Sequence, residues 1–166
     1  MKVKDIMTQE VKTCRATDSL GVAAKFMWEG NFGAVPVVDD QGRAIAMVTD
    51  RDICIAAYTQ GRSIWDIPVE VAMSKQLYSV KPTDSIAQVE QILQTQQVHR
   101  MPVVGGDGRV VGIVALQDIV REAVRQRHGM RKEVSDAQIG RMVAAIHVPA
   151  SLQAQSPLEQ TVTPAA

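Results

Sequence analysis

Apolar positions along the chain follow two spacings in a fixed order. Leu20, Ala23, Ala24, Met27 and Trp28 recur at helical intervals, which predicts an amphipathic helix. The preceding TDS at 17–19 supplies its N-terminal cap signal. Two short apolar runs follow, AVPVV at 34–38 and AIAMVT at 44–49, separated by DDQGR. The Asp and Gly of that spacer predict a hairpin. The return run is continuously apolar and reads as a strand buried on both faces. A second helix is expected from Asp52. Ahead of the first helix, DIMT at 5–8 leads into an extended VKTC at 11–14. The unit therefore reads β-α-β-β-α.

The same order returns 66 residues later without an insertion. Asp5–Ile53 aligns on Val71–Ile119 with 12 identities in 49 pairs, among them Met7 on Met73, Thr17-Asp18-Ser19 on Thr83-Asp84-Ser85, and Pro36-Val37-Val38 on Pro102-Val103-Val104. The second copy offers VAMS at 71–74, LYSV at 77–80, and a helix from Ser85 to Gln97 with Ile86, Val89, Ile92 and Leu93 on its apolar face. Strands RMPVV and VVGIVA and a helix from Asp118 complete it. The period exceeds that of solenoid repeats, and a unit of about 50 residues is marginal alone. The expectation is an α/β (α+β) fold of two such units, 1–65 and 66–125, covering each other with pseudo-two-fold symmetry.

Beyond this the pattern weakens. Over 126–148 a broken apolar stripe of Val134, Ile139, Met142, Val143 and Ile146 predicts a short packing helix. Residues 149–166, rich in Pro, Ser, Thr, Gln and Ala, read as a flexible tail. Trp65, in the connector between the units, reads as a packing anchor, with ligand stacking as the alternative.

Composition narrows the function. The formal net charge is zero and aromatics are 4% of residues, so the core must rest on aliphatic side chains. Neutral charge does not favour nucleic acid or an anionic membrane, and the basic RQRHGMRK at 125–132 reads as a solvated helix end. No apolar run reaches spanning length, and the N-terminus lacks the apolar segment of a signal peptide. Cys14 and Cys54 belong to no CxxC pair, which favours free thiols in a cytoplasmic setting. No general base stands against a nucleophile, and His99, His128 and His147 lack metal-ligand spacing. An enzyme is not expected, and no catalytic residue or metal site is assigned.

The repeated DIMT/VAMS opening with its TDS-capped helix, the pair GAVPVVDDQGR and HRMPVVGGDGR, and the pair AMVTDRDI and GIVALQDI closely resemble the tandem cystathionine beta-synthase (CBS) domain pair, or Bateman module, over residues 1–125. The resemblance implies a non-catalytic regulatory module that binds an adenine nucleotide, AMP, ADP or ATP, as regulatory ligand. It also implies a disc-like homodimer or an effector protein through which binding is read out. S-Adenosylmethionine or a cyclic dinucleotide is the alternative ligand class. A ligand-free dimerisation module is the third reading.

By the same resemblance, Asp52 and Asp118 would hold ribose hydroxyls, which suits a carboxylate with two acceptor oxygens. Thr49 and Arg51 would meet a phosphate at a helix start with free backbone N–H groups. The alternative role for Asp52 is a helix cap. Unit two departs from the pattern, with Ala115, Leu116 and Gln117 in place of Thr49, Asp50 and Arg51. His99 and Arg100 would supply phosphate donors across the pair, where unit one has Gly33 and Ala34. An apolar slot for adenine would be walled by Cys14, Gly33, Ala34, Val35 and Pro36, and by Val80, Met101 and Pro102. No aromatic clamp is apparent in the sequence.

Overall fold

A computed structural model describes residues 1–126 and 135–147. In unit one, β1 (Cys14–Arg15) precedes α1 (Leu20–Gly30), the hairpin β2 (Ala34–Val38) and β3 (Ala44–Thr49), and α2 (Asp50–Gln60). In unit two, α3 (Ile86–Gln96) is followed by β4 (Arg100–Val104), β5 (Val110–Ala115) and α4 (Leu116–Gln126). A final helix, α5, spans Asp136–His147. Sheet one runs β1-β2-β3, with β1 parallel and β3 antiparallel to β2. Sheet two holds β4 and β5 alone, and Val80 supplies a single parallel bridge to Val103 where β1 has its counterpart. The architecture is the mixed α+β fold that the repeat predicts.

The four hairpin strands begin and end where the apolar runs do, because Gly42 and Gly108 take positive φ of 78° and 81° in the turns between them. That backbone region is strained for residues with a Cβ. The turns also meet each other: Ala44 N–H donates to the Gly108 carbonyl at 3.1 Å and Val110 N–H to the Gly42 carbonyl at 3.4 Å. These bonds tie the two sheets across the pseudo-two-fold axis.

Three local expectations are corrected. Helices α2 and α4 start two residues earlier than Asp52 and Asp118, because Thr49 and not Asp52 occupies the cap position of α2. The two aspartates sit inside the first turn instead. Strands β3 and β5 are not buried on both faces. Only alternate residues, Ala46 and Val48 in β3 and Gly112 and Val114 in β5, are fully covered. The fully covered strand in unit one is β2. On α1, Leu20, Ala23 and Met27 are buried, but Trp28 is 87% exposed, so the apolar stripe is narrower than its spacing implied.

The two cores are built by exchange of segments. Before β1, the turn at Val3–Asp5 lies on unit two: Val3 N–H donates to the Asp84 carbonyl at 2.9 Å, and Thr8 exchanges backbone bonds with Ile113. Val3 is fully buried in the same cluster as Ile86, Leu93 and Ile119. In return, the connector packs on unit one. Leu20 N–H donates to the Ile67 carbonyl at 2.8 Å, and Ile67 and Val69 are buried beside Leu20, Val37 and Ile53. Trp65 lies with its ring over Gly21, where no Cβ could fit, and is 60% exposed. Each unit is thus completed by chain that precedes the other, which repairs the small core a single unit could bury.

Helix α5 lies on α3. Met142 and Ile146 are buried in the core of unit two, Ile139 is partly covered, and Val143 is exposed. Val134 and the tail expected over 149–166 lie outside the described residues. Among the described residues no helix is long and apolar enough to cross a membrane.

The two cysteines differ sharply. Cys14 is buried and Cys54 is exposed. Burial, aided by the charge of Asp18, pushes the Cys14 thiol up to about 12. The native chain holds that proton from about pH 9 to 12 while the unfolded chain releases it, so stability falls as pH rises through that window. At pH 8 a thiol reagent is expected to label one cysteine per native chain and both after denaturation. Rapid labelling of both in the native state would place Cys14 outside the core.

Candidate functional site

A cleft of about 600 Å³ lies between the units. One wall is the start of β2 and the β3–α2 junction, contributing Gly33, Ala34 and Thr49 through Asp52. The other is the approach to β4 and its first residue, contributing Gln97 through Arg100, with Ser74, Gln76 and Tyr78 from the chain entering unit two. Seven residues singled out in the sequence meet here: Gly33, Ala34, Thr49, Arg51, Asp52, His99 and Arg100. Met47, Asp50, Tyr78 and Val98 were not singled out and also line it.

The β3–α2 junction holds Asp52 rigidly. Its Oδ2 accepts from the Thr49 N–H at 2.9 Å and from the Thr49 hydroxyl at 2.7 Å, while the Asp52 N–H donates back to Thr49 Oγ1 at 3.2 Å. This is a reciprocal capping box. It uses one carboxylate oxygen, and among the described residues Oδ1 has no hydrogen-bond partner within the chain. The free backbone donors anticipated at the helix start are taken. Asp50 N–H donates to the Gly33 carbonyl at 3.2 Å, and Arg51 N–H to Asp50 Oδ1 at 2.7 Å.

A smaller cleft of about 290 Å³ is the pseudo-symmetric counterpart. Thr8, Lys12, Asn31, Ala115 and Asp118 stand where Ser74, Tyr78, Gln97, Thr49 and Asp52 stand in the first. The chemistry differs. Asp118 is 8% exposed; its Oδ2 accepts from Ala115 N–H at 2.9 Å and its Oδ1 from Arg121 Nη1 at 3.1 Å. Both oxygens of Asp118 are engaged, whereas Asp52 keeps one available. Ala34 and Arg100 border both clefts.

The remaining sequence-derived wall residues do not gather around either cleft. Val35, Pro36, Val80, Met101 and Pro102 are buried core residues, and Cys14 borders a separate open groove at the Asp39–Gly42 turn. The apolar lining of the first cleft comes instead from Met47, Tyr78 and Val98, and Phe32 lines the second. Tyr78 is the aromatic that the sequence did not reveal. It sits in an extended segment whose facing is set by the exchange of segments, and its counterpart Lys12 gives no hint of a shared apolar role. Among the described residues no cluster of three or more His, Cys, Asp or Glu side chains is arranged to hold a metal ion.

The CBS domain family matches twice, over residues 3–58 and 66–125. This chain belongs to the CBS-domain proteins. The CBS domain-containing protein YhcV of Bacillus subtilis is 40% identical over 117 residues, 70% of this chain and 81% of that protein. The CBS domain protein TA0289 of Thermoplasma acidophilum superposes with a TM-score of 0.72 at 27% identity, over 87% of this chain and 75% of that one. The CBS domain pair of protein MJ0100, solved in complex with 5′-methylthioadenosine and S-adenosyl-L-methionine, has a TM-score of 0.66 at 28% identity, over 74% of this chain and 98% of that pair. No catalytic family is indicated by these matches.

Proposed function

We propose that this CBS pair is a regulatory sensor of an adenosine ligand, an adenine nucleotide in the leading reading, held in the larger cleft and read out by an effector protein or by its own dimer. The observation that carries the reading is the convergence of Asp52, with Oδ1 available, on the same cleft as His99 and Arg100 from the other unit. A carboxylate oxygen accepts from vicinal ribose hydroxyls, and charge-assisted bonds of that kind are the strong ones. Thr49 serves by holding Asp52 in place. Arg100 and His99 stand across the cleft where a 5′ phosphate would lie, and Arg51 adds charge at its rim. Tyr78, Met47 and Val98 offer the apolar surface on which adenine would rest, in keeping with pockets that are mostly apolar with a few convergent polar groups.

A second reading has its own support. The cleft contains two carboxylates, Asp50 and Asp52, against Arg51 and Arg100, so it is not a strongly basic phosphate pocket. A 5′-thioadenosyl ligand, of the kind in the MJ0100 complex, suits such a balance. The smaller cleft, with Asp118 engaged by Arg121, is the weaker candidate for ribose.

Calorimetric titration of the full chain with AMP, ADP, ATP, 5′-methylthioadenosine and S-adenosylmethionine tests the proposal. Saturable binding that is lost in Asp52→Asn supports it. Absence of binding across the panel would remove the adenosine reading and leave a dimerisation module.

A further inference from the structure

The two clefts derive from one repeat, yet the carboxylate of Asp50 has no counterpart in unit two, where Leu116 takes its place. Asp50 lies in the first turn of α2, exposed, with its carboxylate directed over Gly33. A Cβ on Gly33 would come within 2.8 Å of Asp50 Oδ2. In unit two the pair is inverted: His99 stands in place of Gly33, and Leu116 in place of Asp50. The repeat therefore does not require a carboxylate here. All four residues of the inversion except Leu116 border the larger cleft.

The first N–H groups of α2 are already engaged within the chain. The N–H groups of Asp50, Arg51 and Asp52 donate to the Gly33 carbonyl, the Asp50 carboxylate and the Thr49 hydroxyl. A phosphate placed there would meet no free donor and would face the charge of Asp50. The cations that line the cleft, Arg100 and Arg51, are matched by two carboxylates, Asp50 and Asp52. The positive charge left for a ligand is small, and each further phosphate adds repulsion.

We propose that Asp50 is the specificity-determining residue of the larger cleft, limiting how much negative charge its adenosine ligand carries at the 5′ end. The proposal rests on the reading of that cleft as an adenosine site. The cleft then takes a neutral 5′-thioether or a monophosphate in preference to a triphosphate, and neutralising Asp50 relaxes the preference in proportion to ligand charge.

The test is calorimetric titration of the full chain at low salt with 5′-methylthioadenosine, AMP and ATP, for wild type, Asp50→Asn, Asp50→Ser and Asp40→Asn. Asp40 is an exposed carboxylate outside the cleft and controls for net charge. Asp50→Asn and Asp50→Ser are expected to tighten ATP binding about tenfold and AMP about threefold, and to leave 5′-methylthioadenosine within about twofold. Asp40→Asn leaves all three within about twofold, and the gain for ATP shrinks at high salt. Unchanged or weaker nucleotide binding in both Asp50 variants would overturn the proposal, as would an equal gain for 5′-methylthioadenosine or for Asp40→Asn. Should none of the three ligands bind any of the four proteins, the adenosine reading itself fails and the assignment of Asp50 falls with it.

Discussion

Truncating Ile67 to alanine is expected to lower the stability of the chain by about 3 kcal/mol, read from the midpoint of chemical denaturation at constant slope. Ile67 lies in the connector, a place where substitutions are ordinarily tolerated. Here it is fully buried among Leu20, Val37 and Ile53, and its carbonyl accepts from the first N–H of α1. Removing its branched side chain loses the transfer free energy of the buried methyl and methylene groups and leaves a cavity that neighbours on α1 and sheet one fill only in part. Ile45→Ala, at a position 41% exposed, is the control and should cost under about 1 kcal/mol. A loss of similar size at both positions, or a loss below about 1 kcal/mol at Ile67, would contradict the exchange of segments.

Replacing Asp52 with asparagine is expected to weaken the adenosine ligand about a hundredfold while the fold is kept. Asparagine retains an oxygen that can accept from Thr49, so the capping role is preserved in part, whereas alanine would also forfeit about 1 kcal/mol of helix capping. What asparagine removes is the charge on the carboxylate oxygen facing the cleft. Two charge-assisted bonds to ribose hydroxyls, each worth roughly 1.5–3 kcal/mol, are of the size that a hundredfold loss needs. Asp118→Asn is the contrast. Asp118 is already paired with Arg121, so its substitution should lower stability more than it lowers binding. Equal affinities of wild type and Asp52→Asn would show that the capping box is the whole role of this aspartate.

Much of the fold was legible because the repeat confines it. The bounds of β2 to β5 coincide with apolar runs since Gly42 and Gly108 set the turns, and the TDS signals place α1 and α3. What was hidden has a common cause: each unit is completed by the other's leading segment. Periodicity reports which face of an element is apolar, and not which partner covers it. Val3, Ile67 and Tyr78 therefore took their places only in three dimensions. Trp28 shows the reverse, an apolar residue in helical register that nothing among the described residues covers.

The polar lining of the larger cleft was legible in the sequence. Thr49, Asp52, His99 and Arg100 converge as the repeat and the resemblance implied. The apolar half was not, because Val35, Val80 and Met101 are as good a core as they would be a ligand wall, and burial decides between the two. Nor could spacing show that the Gly33 carbonyl, the Asp50 carboxylate and the Thr49 hydroxyl would take up the first N–H groups of α2.

A crystal structure of this chain grown with AMP and, in parallel, with 5′-methylthioadenosine decides whether the larger cleft holds an adenosine ligand. The ligand is expected between the units, its ribose hydroxyls bonded to Asp52 Oδ1, the ring against Tyr78 and Met47, and the 5′ end toward His99 and Arg100. A ligand seated only beside Asp118, or only in the groove at the Asp39–Gly42 turn, would contradict this placement.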